Sequence, residues 1–332
     1  MPKLKNYPNT IYITLHFIVG WAITSCTSID YFHRNLIPGN DAFSESKEMS
    51  LVTYNIKAIY EKEENQIYSL MSFVNNNKFD FVVFQELFDE STRDYIIEKS
   101  DPEFYNTFVS RVDYNSFPEF IFQDAGLFMM SRYPRIDLSD IDFGEDIKNS
   151  NGVIHMILEK EYSQTNDFLA NKSVLGSLFD VDDSIKVFLF TAHVQAAGTR
   201  EHKEYQLNQI KDFISTAIKN VIDNNLVNNP QNLVVILAGD FNSNAYDNNR
   251  FTQFQKILGY PRDLHKDYHK TNKEYTFRDR ARRYDYVLSY DKIDNIELKK
   301  VLVNSVNVEN VLDDKGEAIS DHRGIKARLI ID

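Results

Sequence analysis

The chain has 332 residues, of which 42% are hydrophobic and 26% charged, with a formal net charge of −12. Such a composition excludes a disordered chain. The acidic balance argues against a protein held on nucleic acid by a basic surface, though not against an enzyme that brings cations into its site.

At the N-terminus, Lys3 and Lys5 precede an apolar run from Ile11 to Ile23. The run is shorter than the ~20 residues a membrane span needs. The only cysteine is Cys26, so no intrachain disulfide can form. Ile23-Thr24-Ser25-Cys26 is similar to a bacterial lipoprotein signal, in which the cysteine is lipidated. The alternative is a plain signal peptide with an incidental cysteine. We therefore expect a signal segment over 1–26 with Cys26 as lipid anchor, and a polar tether over 27–49 containing Pro38-Gly39-Asn40. A single domain is expected over 50–332. Such a protein is exported, held at a bacterial outer membrane or otherwise secreted.

From Ser50 onward, apolar runs of strand character alternate with helix-like stretches. The predicted strands are SLVTYNI, FDFVVFQ, AGLFMMS, GVIHMILE, IKVFLFTAH, NLVVILAGD, YDYVLSY and GIKARLII. Helices are predicted over 63–77, 90–100 and 200–225. In the last of these, Leu207, Ile210, Phe213, Ile214, Ala217, Ile218 and Val221 form one apolar face. Residues 163–184 read as an irregular insertion, and 243–283 as loop and short helix. Several strands are apolar on both faces, which requires cover on both sides. Others follow one another with no helix between. An α/β sandwich of two mixed sheets with helices outside satisfies both observations. The aromatic-rich segment 104–122 suits either a lipid contact or a buried core.

Polar groups sit where these apolar strands end. Asn55, Gln85-Glu86, His193 with Gln195, and Asp240 with Asn242 follow strands; Asp285 opens one, and Asp321-His322 precedes another. Each alone has a structural explanation: a turn, a helix cap or a satisfied core histidine. Together they make a pocket of carboxylates, amides and two histidines. Oxygen donors of this kind suit Mg²⁺, and histidine suits proton transfer near neutral pH. Metal, water activator and leaving-group donor are what phosphoester hydrolysis requires.

The ordered set TYNI, FQE, TAHVQA, GDFN, YDYVL and SDH resembles the endonuclease/exonuclease/phosphatase superfamily from Ser50 to the C-terminus. The resemblance implies the four-layer, deoxyribonuclease-like α/β sandwich. Within it, HVQA and the AGLFMMSRYPRI segment are similar to the neutral and bacterial sphingomyelinase branch. That branch implies a Mg²⁺-dependent phospholipase C type phosphodiesterase, cutting sphingomyelin to ceramide and phosphocholine. A second divalent cation, or Mn²⁺ or Co²⁺ in place of Mg²⁺, is compatible with it.

Carried over by position, Glu86 is the principal metal ligand with Asn55 beside it. His322 is the general base, oriented or charge-stabilised by Asp285 and Asp321. His193 stabilises the leaving oxygen, Asp240 and Asn242 hold phosphate and water, and Gln195 contacts substrate. The implied partner is a phospholipid in a membrane, with the protein a monomer. One departure is plain: residues 291–320 lack the aromatic hairpin of that branch, and the only tryptophan is Trp21. Two further readings stand beside this one. FRDRARRYD (277–285) suits a nuclease, or a phosphatase of inositol phosphates or phosphoinositides. A non-enzymatic binding scaffold would not need a full metal-and-base set.

Overall fold

The computed structural model describes residues 29–33, 47–112, 124–160 and 170–331. In chain order, the strands begin with β1 (Ile29–His33), β2 (Lys47–Ala58), β3 (Phe81–Leu87), β4 (Thr107–Val112) and β5 (Phe128–Ser131). Next come β6 (Lys148–Ser150), β7 (Val153–Leu158), β8 (Lys172–Asp180), β9 (Lys186–His193) and β10 (Leu233–Asp240). The last group is β11 (Arg262–Asp263), β12 (Asp285–Tyr290), β13 (Lys292–Ile293), β14 (Ile296–Glu297), β15 (Val301–Glu309) and β16 (Gly324–Ile331). The helices are α1 (Glu64–Asn77), α2 (Glu90–Lys99), α3 (Arg200–Asp223), α4 (Asn248–Ile257) and α5 (Leu264–His269).

Two seven-stranded sheets result, in the orders β1-β4-β5-β3-β2-β16-β15 and β11-β12-β10-β9-β8-β7-β6. Both are mixed: β2–β3 and β9–β10 run parallel, while their other neighbours run antiparallel.

Side-chain alternation assigns the layers. In β10, Leu233, Val235 and Leu237 pack with α3 and α4, whereas Val234, Ile236 and Ala238 face the other sheet. In β3, Val82 and Phe84 pack with α1, whereas Phe81 and Val83 face inward. The order is thus helix, sheet, sheet, helix, which is the four-layer α/β sandwich expected. The face expected of α3 is buried residue for residue. Its first turn is closed by Thr199, whose hydroxyl accepts from the His202 N–H.

The structure revises the reading in three places. Lys172–Asp180, expected within an irregular insertion, is a strand buried along almost its whole length. Its serines, glycine and lysine mask the apolar pattern that a strand normally shows. Ile29–His33 lies in the range expected for the tether, yet pairs with β4 at the sheet edge; β2 starts at Lys47, before the expected boundary. In the aromatic segment, Tyr105, Phe108 and Val109 belong to the core; the rest of it, 113–122, lies outside the described residues. Cys26 and the signal segment also lie outside them. Among the described residues, no helix is long and apolar enough to cross a membrane.

Candidate active site

Strand register brings the site together. Asp240 ends β10; it pairs with His193 on β9 and with Asp285 on β12. Three functional side chains are therefore adjacent across one sheet edge. Gly239 makes this possible: its φ is 151°, and a Cβ there would lie 2.1 Å from the Ala192 carbonyl oxygen. Only glycine tolerates that approach.

The other sheet supplies Asn55 and Glu86 from the parallel pair β2–β3. Register slips between Asn55 and Ala58, and Glu86 takes a positive φ of 54°. A non-glycine residue held there signals a constrained site. The slip turns the Glu86 carboxylate toward the second sheet. Asn55 Nδ2 donates to Glu86 Oε1 (2.9 Å) and to Asp240 Oδ2 (3.0 Å), so one carboxamide links the two sheets. Just beneath, Gln85 Nε2 donates to Thr53 Oγ1 and across to Thr191 Oγ1, both at 3.1 Å.

His193 Nε2 lies 3.7 Å from Glu86 Oε1 and 3.9 Å from Asp240 Oδ2. Burial holds its imidazole well below its ordinary pKa, so it is neutral at physiological pH, and its Nδ1 has no hydrogen-bond partner. His322 behaves oppositely. Burial alone would lower it, but the carboxylates of Asp285 and Asp240 outweigh burial and raise it to about 10. Its Nδ1 is 2.9 Å from Asp285 Oδ2, which leaves Nε2 turned to the cleft, 3.6 Å from Asp240 Oδ2. Asp240 is raised to about 7 by burial and by Asp285, with His322 opposing. Asn242 follows in a turn of φ 47°; its N–H donates to Asp240 Oδ1 and its Nδ2 to the Val194 carbonyl, both at 2.9 Å.

Ligand atoms of Glu86, His193 and Asp240 lie within 4.8 Å of one another, as do those of Asp240, Asp285 and His322. Glu86, Asp240 and Asp285 bring three carboxylates together here, and the donors are mainly hard oxygens. These residues fit a divalent cation such as Mg²⁺. The groups open into a cleft of about 640 Å³ whose wall includes Lys57, Lys203, Arg250, Arg280, Arg282, Phe277 and Tyr284.

Two expected residues do not meet the groups assigned to them. Asp321 does not touch His322 with its side chain; it binds Lys57 Nζ at 2.6 Å on the cleft rim. Gln195 is buried and absent from the cleft wall, and its N–H donates to Gln206 Oε1, so it is part of the support under α3. Asn55 lies beside Glu86 as expected, and its amide N–H₂ bridges the carboxylates of Glu86 and Asp240. The basic cluster divides as well. Arg280 and Arg282 line the cleft, but Arg283 is buried against Asp263 and Tyr286.

Other contributors escaped the sequence reading. Phe277 meets the His322 ring edge-on at 5.2 Å between centroids. Thr276 Oγ1 accepts from the N–H groups of Tyr284 (3.0 Å) and Asp285 (3.3 Å). Ser320 Oγ donates to the Asn55 carbonyl (2.7 Å) and accepts from the His322 N–H (3.1 Å). None ends a predicted strand, and no spacing marks them.

No family model matches the chain. An uncharacterized protein of Dictyostelium discoideum is 27% identical over 197 residues, 58% of this chain but 16% of that protein's length. Among solved structures, TDP2 from D. rerio complexed with a single-strand DNA product aligns over 85% of this chain and 98% of its own, with 17% identity and a TM-score of 0.57. A beta toxin mutant from Staphylococcus aureus with bound magnesium ions aligns over 85% and 99%, with 19% identity and a TM-score of 0.56. An endonuclease/exonuclease/phosphatase family protein from Bacteroides thetaiotaomicron aligns over 87% and 96%, with 14% identity and a TM-score of 0.57. The chain has the fold of the endonuclease/exonuclease/phosphatase proteins.

Proposed function

We propose that this protein is a divalent-cation-dependent phosphodiesterase. One observation carries the reading: the Asp285–His322 pair faces the Glu86–His193–Asp240 group across Asp240, at the floor of one open cleft. Asp285 orients His322 through Nδ1, and a cation held by Glu86 and Asp240 would offset the carboxylate charge that keeps the ring protonated, freeing Nε2 to take a proton from water. Neutral His193 is placed to donate from Nε2 to the leaving oxygen. Asn242 orients Asp240 through its N–H, and one amide hydrogen remains for a phosphate oxygen. Glu86 and Asp240 would hold Mg²⁺, which when bound supplies positive charge at the scissile phosphate. Magnesium in the beta toxin mutant supports that choice.

Sphingomyelin is the substrate we place first, on the HVQA resemblance, with ceramide and phosphocholine as products. A second reading rests on the cleft wall. Lys203, Arg250, Arg280 and Arg282 on one cleft suit a substrate with further phosphates, either nucleic acid or an inositol phosphate. The DNA product bound by D. rerio TDP2 is in keeping with it. For location we propose export with Cys26 as the acyl anchor; fatty-acid labelling that persists in Cys26→Ser would refute it.

The test is product release by the purified chain from sphingomyelin vesicles, single-stranded DNA and inositol phosphates, with Mg²⁺ and then with chelator. Phosphocholine release that needs Mg²⁺ and disappears in His322→Ala establishes the first reading. Cleavage of DNA or inositol phosphates alone, with the same dependence, establishes the second. Turnover unaffected by chelator and by His322→Ala overturns both.

A further inference from the structure

A second group of ligating side chains lies on α5 and the loop after it. His265 and His269 are four residues apart, so a helix puts both rings on one face; their centroids are 4.5 Å apart. Glu274 Oε2 lies 3.0 Å from His265 Nε2 and 3.0 Å from His269 Nε2. The fourth group is backbone: the Val306 carbonyl oxygen on β15 is 2.7 Å from His269 Nε2. Ligand atoms of the three side chains all lie within 4.8 Å of one another.

We propose that His265, His269 and Glu274, with the Val306 carbonyl, form a structural site for a borderline transition-metal ion, with Zn²⁺ as its natural occupant. Two imidazole nitrogens and a carboxylate oxygen are zinc ligands, and the carbonyl oxygen brings a fourth donor to a set richer in nitrogen than the catalytic group. Proton accounting favours it. Each neutral imidazole carries one N–H, and His269 Nε2 faces two oxygen acceptors with that single proton. When the ion binds, each ring keeps its proton on Nδ1 and offers the Nε2 lone pair, and no proton is released. His265 Nδ1 is buried without a hydrogen-bond partner, so neither tautomer of that ring gains a bond there. Glu274 supplies the negative charge.

The site ties together parts of the fold that the sheets leave separate: helix α5, strand β15 and the start of the 270–283 loop. Glu274 is itself pinned, since its N–H donates to Tyr246 Oη (3.0 Å) and its carbonyl accepts from the same hydroxyl (2.7 Å). Two and three residues later, Thr276 and Phe277 contact Asp285 and His322. An ion here therefore steadies the loop that shapes the catalytic cleft without entering the reaction.

The test uses chelator-stripped full-length protein, with Zn²⁺ affinity measured against a colorimetric chelator, Co²⁺ absorption as a geometric probe, and Tm. The Glu86→Gln variant removes the main ligand of the catalytic group. It is expected to keep one tightly held Zn²⁺, a four-coordinate Co²⁺ spectrum and a Zn²⁺-dependent rise in Tm. Adding His269→Gln or Glu274→Gln to Glu86→Gln is expected to lose all three, with affinity falling by more than about 100-fold. Both side chains are partly exposed, and the metal-free Tm of each variant checks that it folds. Zn²⁺ binding unchanged by His269→Gln and by Glu274→Gln, or absent from Glu86→Gln itself, overturns the proposal.

Discussion

The cleft has a floor carried by strands and a wall carried mainly by loops and helix starts, and the two are built differently. On the floor, His193, Asp240 and Asp285 are fixed by register across β9, β10 and β12, and all are almost fully buried. On the wall, Arg280 and Asp321 lie on turns and Lys57 lies near the end of β2, and all three are partly or fully exposed. His322 stands between: it belongs to a loop, but Asp285, Ser320 and Phe277 hold it from three sides. Buried groups at rigid strand ends can have their protonation tuned by one another; exposed groups on loops are screened and adaptable. The floor is thus suited to chemistry and the wall to choice of substrate.

That division can be broken by substitution. The largest loss in turnover is expected for His193→Ala or His322→Ala, which should lower kcat by about 10³-fold; steady-state kinetics would check it, with circular dichroism to establish that each variant is folded at the assay temperature. Asp285→Asn leaves the ring of His322 without its anionic partner. A fall of about 10²-fold is expected, with the acid limb of the pH–rate profile displaced downward in pH, because the carboxylate that raises the imidazole is gone. Arg280→Ala with Arg282→Ala should cost about 10-fold, in KM and only for substrates with additional phosphates. An equal loss in kcat for every substrate would erase the distinction between floor and wall. The smallest effect is expected for Asp321→Asn, within about fivefold, since its partner Lys57 is a half-exposed surface cation.

Stability sharpens the same contrast. The folded pKa of His322 is raised from 6.5 to about 10. Below 6.5 the imidazolium–carboxylate contacts contribute in full. As pH rises from 6.5 through about 10 that contribution is lost. Tm of metal-free protein should therefore fall more steeply over this window in the wild type than in His322→Ala. Parallel curves would mean that the carboxylates do not hold the charge on His322.

Much of this was legible in the sequence because period-two alternation and strand ends are local signals. NLVVILAGD announces a strand covered on both faces, and its last residue is the centre of the site. The α3 face was equally plain. What escaped depends on contacts distant in sequence. Lys172–Asp180 joins the sheet despite its polar residues because neighbours on both sides pair with it. Asp321 sits beside His322 in the chain, yet adjacent side chains diverge, and the partner of His322 is Asp285, 37 residues away. Gln195 stands two residues after His193 and so near the cleft, but it is buried, and its main-chain N–H is taken by Gln206 on α3, 11 residues away.

The Asn55 carboxamide spans from Glu86 on one sheet to Asp240 on the other, above the Gln85 link to Thr191. The gap between the two sheets is therefore also the jaw width of the metal-binding group. Side chains deep in the sandwich, such as Phe81 against Phe179 at 5.1 Å between ring centroids, act as spacers for that jaw. Trimming such a spacer lets the layers settle and changes the separation of the two carboxylates at the far end. If the proposed function holds, cation selectivity and turnover become in that sense mechanical properties of the core, adjustable by residues that never meet the substrate.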